Sequence, residues 1–153
     1  MIKKILIGGG IVAALGVAAF FIMINLPARD VQATEADLSL DATELVKEFI
    51  ENTDVANQKY LSEDGDSKIL IIKGRVHSVT KDGAGLQVVY LKSEEAKMGV
   101  SCTFLLETNE QAEALEIGSE VLIKGVIRAG AGYDEDLEMY DDVIVEKCAI
   151  VQK

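Results

Sequence analysis

Few side chains in this 153-residue chain have the type and spacing to do chemistry: two cysteines, one histidine and a run of carboxylates. Cys102 and Cys148 lack the Cys-x-x-Cys spacing of a redox pair, and two thiols with one histidine do not make a zinc set. In "GYDEDLEMYDD" (132–142), Asp134, Asp136, Glu138 and Asp142 form a carboxylate cluster of the kind hard cations such as calcium take. The EF-hand order fails, because Met139 stands where its glycine belongs and Val145 where its bidentate glutamate belongs. A solvated acidic hairpin is the alternative. His77 lies in a strand-like stretch, and Ser62, Ser78 and Ser101 have no nucleophile context. Nothing assembles a base, a nucleophile and an oxyanion donor, so the expectation is a protein that is not an enzyme and holds no cofactor, calcium excepted.

A second set of residues is suited to binding. Lys73, Arg75, Tyr90, Lys92 and Lys124 fall in strand-like segments and are the ligand-face candidates, since single-stranded nucleic acid is held by basic grooves with stacking aromatics. Phe104 lies on an apolar phase and reads as core. There is no tryptophan, and the net charge is −11. That field repels phosphates and favours cationic partners, so nucleic acid is not the expected ligand.

The elements that must position these residues begin at the N-terminus. "ILIGGGIVAALGVAAFFIMINL" (Ile5–Leu26) has no charge and, as a helix, spans roughly 33 Å, enough for a bilayer core. Lys3 and Lys4 before it predict that residues 1–4 stay in the cytoplasm and that the remainder lies outside the inner membrane. A cleaved signal peptide ending at Ala19 is the alternative, although the apolar run continues past that point. All 26 acids but only 13 of the 15 bases follow this segment. Residues 27–40 read as a tether and 41–153 as the exported domain. Outside the cytoplasm cysteines tend to pair, and a Cys102–Cys148 disulfide closing a loop of about 45 residues would add about 4 kcal/mol in the chain-entropy model. Two buried free thiols are the alternative.

In the domain, Asp41 and Glu44 form a candidate capping pair, and Leu45, Val46, Phe49 and Ile50 share one helical face. From Lys68 the period shortens to that of strands. "KILIIKGRVHSV", "LQVVYLK", "GVSCTFLL", "EVLIKGVIRAG" and "DDVIVEKCAIVQK" read as five strands. The turn "KDGAG" (81–85) joins the first two, and a helix at 108–119 separates the third and fourth. Val100, Cys102, Phe104 and Leu106 alternate onto one face of the third strand. Three strands, a helix and two strands is the order of the five-stranded Greek-key OB barrel. The expected fold is therefore mainly β with an N-terminal helix, behind a single transmembrane segment. The words "LIIKGRV" (70–76) and "VLIKGVI" (121–127) recur in its first and fourth strands. Their glycines, Gly74 and Gly125, are expected to be matched bending points.

With "TELVKEFIENTDVANQKYL", "IIKGRV", "GVSCTF", "IGSEVLIKGV" and "DDVIVEKCAIV", the chain resembles the tRNA_anti-like OB-fold proteins, small bacterial envelope proteins with an N-terminal anchor or lipoprotein signal. The resemblance implies the fold. The family's name points to the anticodon-binding domain of aminoacyl-tRNA synthetases, a likeness of shape. Members often carry a further cysteine after the glycine of the fourth strand, where this chain has Val126 and Ile127. The expected function is a non-enzymatic, membrane-anchored, extracytoplasmic binding module for an envelope protein or a cationic ligand. A nucleic-acid-binding OB protein and a calcium-responsive module using residues 134–142 are the alternatives.

Overall fold

The two Lys-Gly words lie side by side as antiparallel neighbours. In the computed structural model, Ile69 pairs with Val126, Ile72 with Ile123 and Arg75 with Glu120. The structure describes residues 29–151. The chain divides into two units, Met1–Asp30 and Val31–Lys153, and every element below belongs to the second. The expected membrane span, the residues before it and the Ala19 cleavage position lie outside the described residues. Among the described residues, no helix is long and apolar enough to cross a membrane.

In chain order the elements are β1 (Leu38–Asp41), α1 (Ala42–Glu51), α2 (Thr53–Tyr60), β2 (Ile69–Lys81), β3 (Gln87–Leu91), β4 (Val100–Phe104), a 3-10 turn (Leu106–Thr108), α3 (Asn109–Glu113), β5 (Glu120–Ala129), β6 (Gly132–Asp134), β7 (Met139–Asp141) and β8 (Val143–Ile150). The main sheet runs β1-β2-β3-β4-β8-β5 and closes through β2–β5, which gives the expected five-stranded barrel. Its fill follows the strand period. Leu70, Ile72 and Val76 of β2 meet Val121, Ile123 and Ile127 of β5 in one buried core. The Asp82 turn holds itself, its Oδ1 accepting the N–H groups of Ala84 at 2.8 Å and Leu86 at 2.9 Å.

The two ends of the barrel are packed by different helices. Leu45, Val46 and Phe49 of α1 enter the core, and Phe49 stacks on Tyr60 of α2 with ring centroids 5.6 Å apart. A Cβ on Gly130 would overlap the Phe49 ring, so that glycine makes room for the helix. Glu48 ties the helices together, taking Lys59 on both oxygens (2.9 and 2.7 Å) and the Tyr60 hydroxyl (2.9 Å). The Lys59 ammonium and the Tyr60 hydroxyl hold the Glu48 carboxyl below its usual range against a partly opposing burial effect. At the other end α3 buries Ala112, and Gln111 Oε1 accepts the Ile150 N–H at 2.9 Å.

Several local expectations are corrected. Asp41 precedes α1 without a side-chain cap, so the Asp41–Glu44 capping pair does not form. The helix expected over 108–119 shrinks to the 3-10 turn and α3, and the Thr108 hydroxyl donates to the Cys148 carbonyl at 2.6 Å. Leu106 and Ile50 leave the faces assigned to them and stand 73% and 58% exposed. Residues 31–41, read within the tether and the helix start, are docked instead. Leu38–Asp41 pair in parallel with Leu70–Lys73, and Val31 is buried against Ile69 and Val126.

Gly74 and Gly125 are not opposite one another. Gly74 faces Val121 and Gly125 faces Leu70. A Cβ on Gly74 would press Leu91 and Ala42 at 3.0–3.2 Å. One on Gly125 would stand 2.6 Å from Val145 Cγ1, 2.7 Å from Cys148 Sγ and 2.9 Å from the Glu146 carbonyl. Gly125 marks a bulge, since the β5–β8 register shifts between Lys124 and Val126. The extra residue on β8 is Lys147, with φ +54°. Strict alternation from Val143 and Val145 would send Lys147 into the core; the bulge sends Cys148 there instead.

Candidate functional site

The connection between β5 and β8 rises into a hairpin of its own. Strands β6 and β7 pair from Gly132–Asp141 to Asp134–Met139 and set Tyr133 beside Tyr140, ring centroids 4.9 Å apart. Both tyrosines are exposed, as are Leu137 and Met139. The Lys97 ammonium, from the β3–β4 connection, lies 4.9 Å from the Tyr140 ring centroid and donates to its hydroxyl at 3.0 Å. That hydrogen bond holds the Lys97 ammonium above its usual range. Asp142 anchors the hairpin's base, its Oδ1 accepting the Gly99 N–H at 2.7 Å.

The four carboxylates considered for calcium do not converge. Asp134 Oδ1 is spent inside the hairpin, accepting the N–H groups of Asp136 and Leu137 at 2.9 Å each. Asp142 is occupied with Gly99, and Glu138 sits at the turn with φ +51°. Among the described residues, no three His, Cys, Asp or Glu side chains are grouped to hold a metal. Their alternating spacing in the sequence does not become a cluster, because the chain folds back on itself between β6 and β7.

The ligand-face candidates separate too. Lys73, Arg75 and Lys92 line one cleft of about 390 Å³ beside β1 and α1. Asp41, Glu94, Glu95 and Glu120 line it as well, and Glu120 reaches Lys73 at 3.6 Å. Tyr90 stands elsewhere, on β3 between Ser78 and Ser101. Lys124 is turned to the N-terminal segment, its ammonium donating to the Gln32 carbonyl at 3.0 Å. Phe104 is buried, as expected.

The cysteines are free thiols, so the disulfide is not formed. They lie on the adjacent parallel strands β4 and β8, where Cys102 pairs with Val145 and Cys148 with Phe104, and both are fully buried. Burial pushes the Cys148 thiol well above its usual range, and the neighbouring Cys102 thiol adds to the shift. Sequence reasoning missed the tyrosine pair: two aromatics seven positions apart face each other only when a hairpin of the right register closes.

The tRNA_anti-like family profile matches residues 1–137 of the chain. The chain belongs to the tRNA_anti-like family. Its profile match stops short of β8, the fifth barrel strand, which the structure supplies. A crystal structure of a lipoprotein from Klebsiella pneumoniae subsp. pneumoniae MGH 78578, to which nucleic-acid binding is ascribed, is similar to this tRNA_anti-like protein with a TM-score of 0.55 and 19% identity. That similarity covers 83% of this chain and the whole of the other, and it shows a shared fold. A chain assigned as an aspartyl-tRNA synthetase from Leishmania major Friedlin aligns at 14% identity and a TM-score of 0.38, covering 84% of this chain and 23% of that one. No curated protein matches the sequence.

Proposed function

We propose that this tRNA_anti-like protein is a non-enzymatic binding module of the bacterial cell envelope, held to the inner membrane by residues 5–26, and that its β6–β7 hairpin engages a basic protein or peptide. The hairpin carries the reading. Residues 132–142 hold six carboxylates and no base around an exposed tyrosine pair. Such a surface attracts cations over several ångströms and gives an arriving lysine or arginine an aromatic face to rest on. The uncharged 22-residue N-terminal run and the likeness to a lipoprotein fold support the envelope location.

Nucleic-acid binding is the second reading, favoured by the description of the Klebsiella lipoprotein and by the cleft that collects Lys73, Arg75 and Lys92. The four carboxylates in that cleft outnumber its three cations, so it offers a phosphate chain little net attraction.

The two readings separate in one fluorescence-anisotropy experiment with the full chain. A labelled lysine- and arginine-rich peptide should bind, weaken as salt rises, and be lost when Asp134, Glu135 and Asp136 become amides or Tyr133 and Tyr140 become alanine. Labelled single-stranded RNA and DNA should give flat traces. Salt-sensitive oligonucleotide binding that Lys73→Gln and Lys92→Gln remove would overturn the proposal in favour of the second reading.

A further inference from the structure

Beside the charged cleft, α1 and the β3–β4 connection leave a groove of about 400 Å³ between them. Its walls are carbon: Val46 and Ile50 on the helix, Leu91 at the end of β3, and Ala96 and Met98 on the connection. Ile50 breaks the pattern of its helix. It lies one position beyond buried Phe49 and is 58% exposed, because at that point the helix faces the groove and not the barrel.

Charge makes the groove unlike the rest of the molecule. In a chain with 26 acids and 15 bases, three lysines line it, Lys47, Lys92 and Lys97, and no carboxylate does. Lys47 is paired only with Glu51 at 3.5 Å on an open helix surface, where both side chains are more than half exposed. Lys92 makes no ion pair among the described residues, and Lys97 is held by the Tyr140 hydroxyl. An apolar trough with a cationic rim complements a molecule that has one alkyl chain and one anionic head. It does not suit a cationic amphiphile, which the lysines would repel, or a phosphate chain, which has no use for the apolar walls.

We propose that the groove between α1 and the β3–β4 connection binds a single-chain fatty carboxylate, with the chain against Val46, Ile50 and Met98 and the carboxylate between Lys47 and Lys92. The groove adjoins the acidic hairpin through Lys97 and Tyr140, but the carboxylate seat of Lys47 and Lys92 lies outside the hairpin, so the two proposals are tested on different side chains.

The test uses the full chain in phosphatidylcholine nanodiscs and a dodecanoic acid bearing a photoreactive diazirine at its chain end, with cross-linked peptides mapped by mass spectrometry. Labelling is expected on the peptides that carry Val46–Ile50 and Ala96–Met98, with excess decanoate competing it away. A dodecyl-trimethylammonium probe with the same diazirine should label these peptides far less. Lys47→Gln with Lys92→Gln, which leaves Lys97 and Tyr140 in place, should cut labelling about fivefold, the scale expected of two exposed charge contacts. Ala96→Trp, on a half-buried loop position, should abolish labelling by filling the trough while circular dichroism shows the barrel intact. Equal labelling by the cationic probe, labelling spread over other peptides, or labelling that survives Ala96→Trp would overturn the proposal.

Discussion

Cys148 carries the clearest consequence at the scale of a single residue. Folding keeps its thiol protonated, because burial disfavours the thiolate and the neighbouring Cys102 acts in the same direction. An unfolded thiol ionises near pH 8.5. Above that pH the unfolded chain has released a proton that folded Cys148 still holds, so the unfolded state binds fewer protons and stability falls as pH rises. Below it, the stabilisation is fully present. The loss amounts to at most about 1.4 kcal/mol per pH unit. Urea unfolding of the wild type and of Cys148→Ala between pH 7.5 and 10 checks this: the wild-type midpoint should fall more steeply. Parallel slopes would show that the thiol titrates alike in both states. That Cys102 and Cys148 lie in strands was legible. Their state was not, since whether two thiols meet at bonding geometry depends on strand offset.

At the scale of elements, the packing of α1 on the barrel is the contact most exposed to a single change. Phe49 is fully buried and occupies the space a side chain at Gly130 would need. Gly130→Ala should therefore cost about 1–3 kcal/mol, the range for overpacking a well-filled core. The cost should be concentrated on the helices: amide exchange should rise first in α1 and α2, with β2 and β5 keeping their protection. Equal loss of protection throughout would mean that helix and barrel unfold as one unit. The helical face Leu45–Val46–Phe49 could be read from its spacing, and the strand order could be read from alternation and turns. Ile50 could not, because the period assigns a residue to a side of its helix and not to what stands opposite.

Taken as a whole molecule, the Val31–Lys153 unit is secured along its outside as well as through its core. Val31 is 3% exposed over Ile69 and Val126, which form a separate small cluster on the outer surface of the barrel. The adjoining Gln32 reaches two strands at once: its side-chain amide donates to the Lys147 carbonyl at 2.6 Å, and its own carbonyl accepts the Lys124 ammonium. The segment thus covers the β5–β8 bulge that turns Cys148 inward. Val31→Ala should lower stability by about 1–2 kcal/mol, at the low end for truncating a buried aliphatic side chain. Differential scanning calorimetry of the full chain would measure it, and an unchanged midpoint would show the segment to be a passive tether. Composition had suggested a tether: residues 27–40 are polar and aperiodic, and a lone buried valine leaves no periodic trace.

The sequence by itself determined the barrel, because each strand's alternation and each turn's chemistry are local properties, repeated often enough to leave one plausible order of elements. It also determined the sign of the surface charge, which needs only counting. The tertiary structure alone decided which charges meet. It brought Lys73, Arg75 and Lys92 into one cleft with four carboxylates, dispersed the acids of 134–142 around a hairpin, set Tyr133 against Tyr140, and gathered three lysines around an apolar groove. Each of these depends on where the chain reverses and on single-residue bulges such as the one at Lys147. A shift of one residue there sends a side chain to the opposite face of its strand.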